Sequence, residues 1–257
     1  MFSFCLEFFV GKSKNIRFWE IDTLRGIAVI LMICFHFLYD LNYFHYVSVD
    51  LHNNFFLVYV YFTATLFLLL VGISATLRYS HLQKTFTKDK IKYNFFFRGL
   101  FIFCLGLLIT FVSWLYIPEG FIIFGVLHCI GISIIFAYPF IHYIIQPFVL
   151  GFLFIVFGIF LKTLRFDFPW LLWLGFTPYN FYTVDYFPLL PWFGVVLIGV
   201  SIGNILYENG FRKFFLKDKT HLVIIKIVTF FGRHSLIIYF LHQIIFIGMF
   251  TLLSFFK

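Results

Sequence analysis

From its N-terminus the chain is a succession of long apolar runs separated by short polar blocks. Each of seven runs is near the ~20 apolar residues that a helix needs to cross the hydrocarbon core of a bilayer. They are Leu24 to Phe44, Phe55 to Leu77, Phe95 to Leu115, Phe121 to Tyr138, Tyr143 to Leu161, Phe187 to Leu206 and Ser235 to Phe255. A further apolar stretch, Leu222 to Phe231, reads either as an interfacial helix or as an extension of the last run; as an eighth span it would bury Lys226. Met1 to Gly11 is apolar but short, contains Glu7 and lacks a basic leader and a small-residue cleavage site. It reads as a segment along the cytoplasmic interface rather than a signal peptide. The pattern predicts an all-α, polytopic integral membrane bundle of about seven transmembrane helices, one domain over residues 1–257.

Composition supports this class. The chain is 62% hydrophobic and 12% charged, with a mean hydropathy of +0.99, far outside the range of soluble domains. A net charge of +8 would suit nucleic acid, but the basic residues sit in blocks between apolar runs, as topology signals do, so nucleic acid is excluded as a partner. With seven spans, 16 of the 19 basic residues fall on one side, leaving Lys162, Arg165 and Lys257 opposite. The positive-inside rule then puts the N-terminus in the cytoplasm and the C-terminus outside, in a multi-pass plasma-membrane protein with His45, Asp50 and His52 beyond the outer face. Cys5, Cys34, Cys104 and Cys129 are scattered singly and suggest no metal site.

A titratable group inside a span costs ~2.5–3.5 kcal/mol even on lenient insertion scales, so each is a candidate for function. The candidates are His36 and Asp40 in the first run, His128 in the fourth, and His242 with Gln243 in the seventh. His36 and Asp40 are four residues apart, on one helix face, where a carboxylate can orient an imidazole. At 1.5 Å per residue His36 lies ~16 Å along the helix from Arg25, near the bilayer middle. Arg25, Arg233 and His234 at the cytoplasmic mouth, then His242, His36 and His128, then Asp40, His45 and His52, outline a polar track. A lone intramembrane histidine can instead bond a neighbouring carbonyl and tie two helices together, and Arg25 with Asp22 can be an ordinary interfacial ion pair.

The segment Ile21-Asp22-Thr23-Leu24-Arg25-Gly26 through Met32, followed by His36, resembles the catalytic domain of the heparan-alpha-glucosaminide N-acetyltransferase family, in its prokaryotic branch. Val71-Gly72-Ile73-Ser74, Gly125 to Gly131, Phe187 to Gly194, and Gly232-Arg233-His234-Ser235 with His242-Gln243 are similar to the same family, in order along the chain. Arg25, ten residues, then His36 also resembles the signature of the related membrane acyltransferase-3 family. The resemblance implies acetyl transfer from cytosolic acetyl-CoA, with no metal, to an acceptor reaching the site from the other side. The eukaryotic enzyme has Asn where this chain has His36, and its catalytic histidine follows the first span; His45 is the nearest position here.

The residues fit that reaction. Attack on a thioester needs a base with a pKa near ~7, and a neutral histidine supplies one. His36 is expected as the base with Asp40 orienting it, and Arg25, Arg233 and His234 are expected to hold the CoA phosphates. The aromatic loop Asp167 to Asp185 suits a sugar or lipid-linked glycan acceptor by stacking, or simply an interfacial belt. The expected partners are the lipid bilayer, acyl-CoA and that acceptor; a second copy of the chain stays open. The rival reading is a proton-coupled transporter using His36, Asp40, His128 and His242 as a relay.

Overall fold

A computed structural model of the chain describes residues 17–51, 53–208 and 210–254. The described residues form eight α-helices: α1 Trp19–Tyr43, α2 Asn54–Leu82, α3 Lys88–Tyr116, α4 Val126–Ala137, α5 Ile145–Leu161, α6 Leu189–Leu206, α7 Val223–Arg233 and α8 Ser235–Ser254. Two 3-10 turns, Tyr138–Phe140 and Leu172–Leu174, and a two-stranded ribbon, β1 Tyr207–Glu208 against β2 Phe211–Arg212, complete them. The fold is a helical membrane bundle: α1, α2, α3, α6 and α8 are long and apolar enough to span a bilayer.

The other two predicted spans are shorter. α4 with its 3-10 turn covers Val126–Phe140, and α5 covers Ile145–Leu161. The fourth run loses Phe121 to Gly125 because that stretch leaves helical geometry and is tied to the segment before α6. Val184 N–H donates to the Gly120 carbonyl at 3.0 Å, Phe187 N–H to Phe124 at 2.9 Å, and the Thr183 hydroxyl to Phe121 at 2.7 Å. The ambiguous stretch before the last run also resolves: α7 has 11 residues. At 1.5 Å per residue it is ~16 Å long, too short to cross, and Lys226 on it is exposed. The predicted interfacial segment Met1 to Gly11 lies outside the described residues, as do His52 and Lys257.

The helices divide into two compact units, residues 71–215 and residues 17–70 with 216–254, so that α2 contributes to both. In the first unit, α3 packs on α4, and α5 on α6, by close backbone approach at small residues. A Cβ on Gly99 would lie 2.5 Å from the Gly131 carbonyl oxygen, and one on Gly151 would lie 2.7 Å from that of Gly194. In lipid, where apolar contact alone does not drive helices together, such contacts let van der Waals packing hold them. Large side chains point outward instead: Ile145 is 75% and Phe152 58% exposed. The Asn204 amide donates to the Ile141 and Tyr143 carbonyls, each at 2.8 Å, and Ser201 donates to Ile144 at 2.7 Å, satisfying the carbonyls of the α4–α5 connection.

In the second unit α1 is the centre, packed against α7 and α8. Gly26 faces the Val228 carbonyl and Gly232 faces the Asp22 carbonyl, where a Cβ would lie 2.0 Å and 1.7 Å from the respective oxygens. The hydroxyls of Thr23 and Thr229 meet at 3.2 Å across the same contact. α7 is therefore one-sided, with Thr229 and Gly232 buried on α1 while Val223, Ile224, Ile227 and Phe230 are exposed. Tyr59 on α2 donates to the Leu31 carbonyl at 2.8 Å and stacks on Phe35.

Candidate functional site

The polar residues of the second unit collect along α1 in two groups. The first lies where α7 turns into α8. Asp22 is the hub: Arg25 Nη1 donates to its Oδ1 at 2.9 Å, and Arg233 Nε to its Oδ2 at 3.4 Å. The Asp22 side chain is only 11% exposed, so one carboxylate balances two guanidinium groups within the α1–α7 contact. His234 closes α7, with Nδ1 2.9 Å from the Phe230 carbonyl and its ring 4.4 Å from that of Phe230. Three residues expected at a cytoplasmic mouth thus gather at one end of this unit, with Asp22 bonded to two of them.

The second group sits about four turns beyond Asp22 along α1, where α8 approaches. The rings of His36 and His242 have centroids 5.0 Å apart. Both carboxylate oxygens of Asp40 accept from the Gln243 amide, at 3.0 and 3.1 Å, and Asp40 is 3% exposed. Asp40 is therefore engaged by α8 rather than by His36, its neighbour one turn back. The i, i+4 spacing puts the two on one face, but the amide reaching across from α8 offers the carboxylate a better donor. The His242 Nδ1 lies 2.8 Å from the Tyr239 carbonyl and 3.3 Å from that of Ile238. A carbonyl only accepts, so Nδ1 carries the proton and Nε2 a lone pair. Among the described residues that Nε2 and Gln243 Oε1 are buried without a partner. His36 makes ring contacts with Phe35 and His242.

The remaining predicted residues lie elsewhere. His45 is exposed on the turn after α1, with a positive φ of 59°, and its backbone N–H donates to Asn42. His128 belongs to the first unit and is satisfied there: its Nδ1 accepts from the Gly125 N–H at 3.2 Å, and Nε2 lies 3.4 Å from the Thr110 hydroxyl. It caps the start of its own helix, as a structural histidine does, and His52 lies outside the described residues.

Asp185, in the loop before α6, accepts from the Val126 N–H at 3.4 Å at the start of α4. Burial raises its carboxyl to about 6, and the bond from Val126 pulls it the other way. A carboxyl held above its unfolded value binds more protons folded than unfolded, so its contribution to stability is present below ~3.9 and is lost as pH rises through about 6. Thermal melts of wild type and Asp185→Asn from about pH 4 to about pH 7 should diverge, with the wild type losing stability relative to the variant as pH rises. Parallel curves would show that Asp185 has an ordinary carboxyl.

No group of three or more metal-ligating side chains occurs among the described residues. Residues 17–244 match the model of the family described as heparan-alpha-glucosaminide N-acetyltransferase, catalytic. No curated protein and no solved structure matches the chain.

Proposed function

The chain belongs to the heparan-alpha-glucosaminide N-acetyltransferase catalytic family, whose membership points to membrane acetyltransferase activity, and we propose that it transfers acetyl from cytosolic acetyl-CoA to an amine or hydroxyl of a sugar or lipid-linked glycan at the outer face. The observation that carries the reading is the His36 imidazole on a spanning helix, free of a hydrogen-bonding partner among the described residues and beside His242. A titratable ring in such a place is costly unless it works, and a neutral imidazole is suited to take a proton from an attacking nucleophile.

His36 accepts the proton of the acceptor as its nitrogen or oxygen bonds to the acetyl carbonyl carbon. The carbon–sulfur bond then breaks, and the imidazolium returns the proton to the departing CoA thiolate, giving acetylated acceptor and free CoA. Asp40 holds Gln243 and so fixes α8 beside α1. Arg25 and Arg233, gathered at Asp22, and His234, next in sequence, are the groups that would meet a phosphate of the donor. The site is reached by donor from the cytoplasmic side in a plasma-membrane protein whose N-terminus is cytoplasmic, the orientation supported by the distribution of basic residues.

The test is transfer in reconstituted vesicles with labelled acetyl-CoA on the cytoplasmic face only and the native lipid and glycan fraction as acceptor. Label should enter a glycan or glycolipid. If none enters with donor on either face, acetyl transfer is wrong and a proton-coupled transporter becomes the better account of the same histidines.

A further inference from the structure

Two neutral imidazoles joined N to N by a hydrogen bond of ~3 Å have centroids ~5 Å apart, since each nitrogen lies about 1.1 Å from its ring centre. The His36 and His242 rings, 5.0 Å between centroids and tilted by 57°, are close enough for such a bond, and none joins them in the structure as it stands. His242 is also prepared as an acceptor. Its Nδ1 proton is committed to the Tyr239 carbonyl at 2.8 Å, which leaves Nε2 with a lone pair, buried and unpartnered among the described residues. The adjacent Gln243 is fastened to Asp40 by two bonds, which locks the height of His242 against His36.

We infer that His242 is the positioning residue of this site, its Nε2 accepting a hydrogen bond from the His36 imidazolium formed when His36 takes the acceptor's proton. The inference rests on the acetyl-transfer reading and assigns to His242 the part that spacing along α1 suggested for Asp40. The geometry favours the histidine because an imidazolium must donate, Asp40 is turned to Gln243, and His242 presents an unpartnered lone pair beside the His36 ring. The carbonyls behind His242 fix its tautomer, as a carboxylate fixes the histidine of a hydrolase triad. When His36 takes the acceptor's proton, its bond to the Nε2 lone pair becomes charge-assisted and stronger than one from the neutral ring, and such a differential interaction lowers a barrier.

The experiment compares wild type, His242→Phe, His242→Gln, His36→Ala and His36→Ala with His242→Phe in nanodiscs, using labelled acetyl-CoA and a glucosamine glycoside as probe acceptor beside the native glycan fraction. His242→Phe should lower kcat by about tenfold or more while KM for acetyl-CoA stays within about twofold, because no donor contact is lost. His242→Gln keeps an acceptor oxygen and should recover most of the rate. In the His36→Ala background His242→Phe should cost nothing further. Independently, a 15N-histidine spectrum should lose a neutral, Nδ1-protonated signal in His242→Phe. An active wild type matched by His242→Phe, or an Nε2-protonated His242, overturns the inference alone. A wild type silent with every acceptor overturns the acetyl-transfer reading and takes the inference with it.

Discussion

Replacing His36 with alanine should reduce acetyl transfer by ~10²–10⁴-fold, the range that a positioned general base contributes. Acetyl-CoA should raise the melting temperature of the variant and of the wild type alike, because a ligand that binds only the native state stabilises it and the arginines remain. Little stability should be lost, since the His36 ring is only partly buried and is held by ring contacts rather than hydrogen bonds. Asp40→Asn serves as the control on the same helix face. An asparagine retains one carbonyl oxygen for the Gln243 amide, so the α1–α8 tether weakens without breaking and the rate should fall far less than in His36→Ala. Transfer by His36→Ala near the wild-type rate would move the chemistry off α1, with His45 the next residue to replace.

Much of this architecture is legible in the sequence because lipid leaves few choices. Apolar runs become helices, and α1, α2, α3, α6 and α8 fall on five of the seven predicted spans. The fifth run is a helix over nearly its predicted length, Ile145–Leu161, whereas the fourth is shortened for a local reason. Phe121 to Gly125 is as apolar as any span, but its backbone bonds to residues 183–187, a pairing across about sixty positions that no window of hydropathy can register. α1 begins at Trp19, earlier than its apolar run, because Glu20 and Asp22 are helical and buried, and the reason for Asp22 is a partner 211 residues away. The candidate site divides the same way. His36, Asp40, His242 and Gln243 stand out individually as polar residues among apolar ones. That Asp40 meets Gln243, and His36 meets His242, follows from the packing of α8 on α1. The one rule that sequence spacing offers, i to i+4, suggests a different pairing. His128 shows the opposite case, equally prominent in sequence and yet satisfied by its own helix start and Thr110.

Asp22→Ala should be strongly destabilising. The carboxylate is 11% exposed and accepts from Arg25 and Arg233, so its loss takes that counter-charge from the Arg25 guanidinium, 23% exposed, within the α1–α7 contact and removes the link from α1 to the end of α7. Breaking a buried pair by removing one partner costs ~3–5 kcal/mol, and since Arg233 is 46% exposed and can turn to water, the lower end, about 3 kcal/mol, is expected. Relief should come from removing the Arg25 charge rather than restoring the acid. Asp22→Ala with Arg25→Met should melt above Asp22→Ala alone, because a buried cation that has lost its carboxylate is worse than an apolar side chain of similar length. The same series bears on the donor site. Arg25→Met alone leaves Asp22 with Arg233, so a folded protein with weakened acetyl-CoA affinity would assign Arg25 a phosphate contact, and unchanged affinity by calorimetry would leave it a helix tie. If Asp22→Ala melts with the wild type, the carboxylate does not bridge the two arginines and the α1–α7 contact rests on its glycines and threonines.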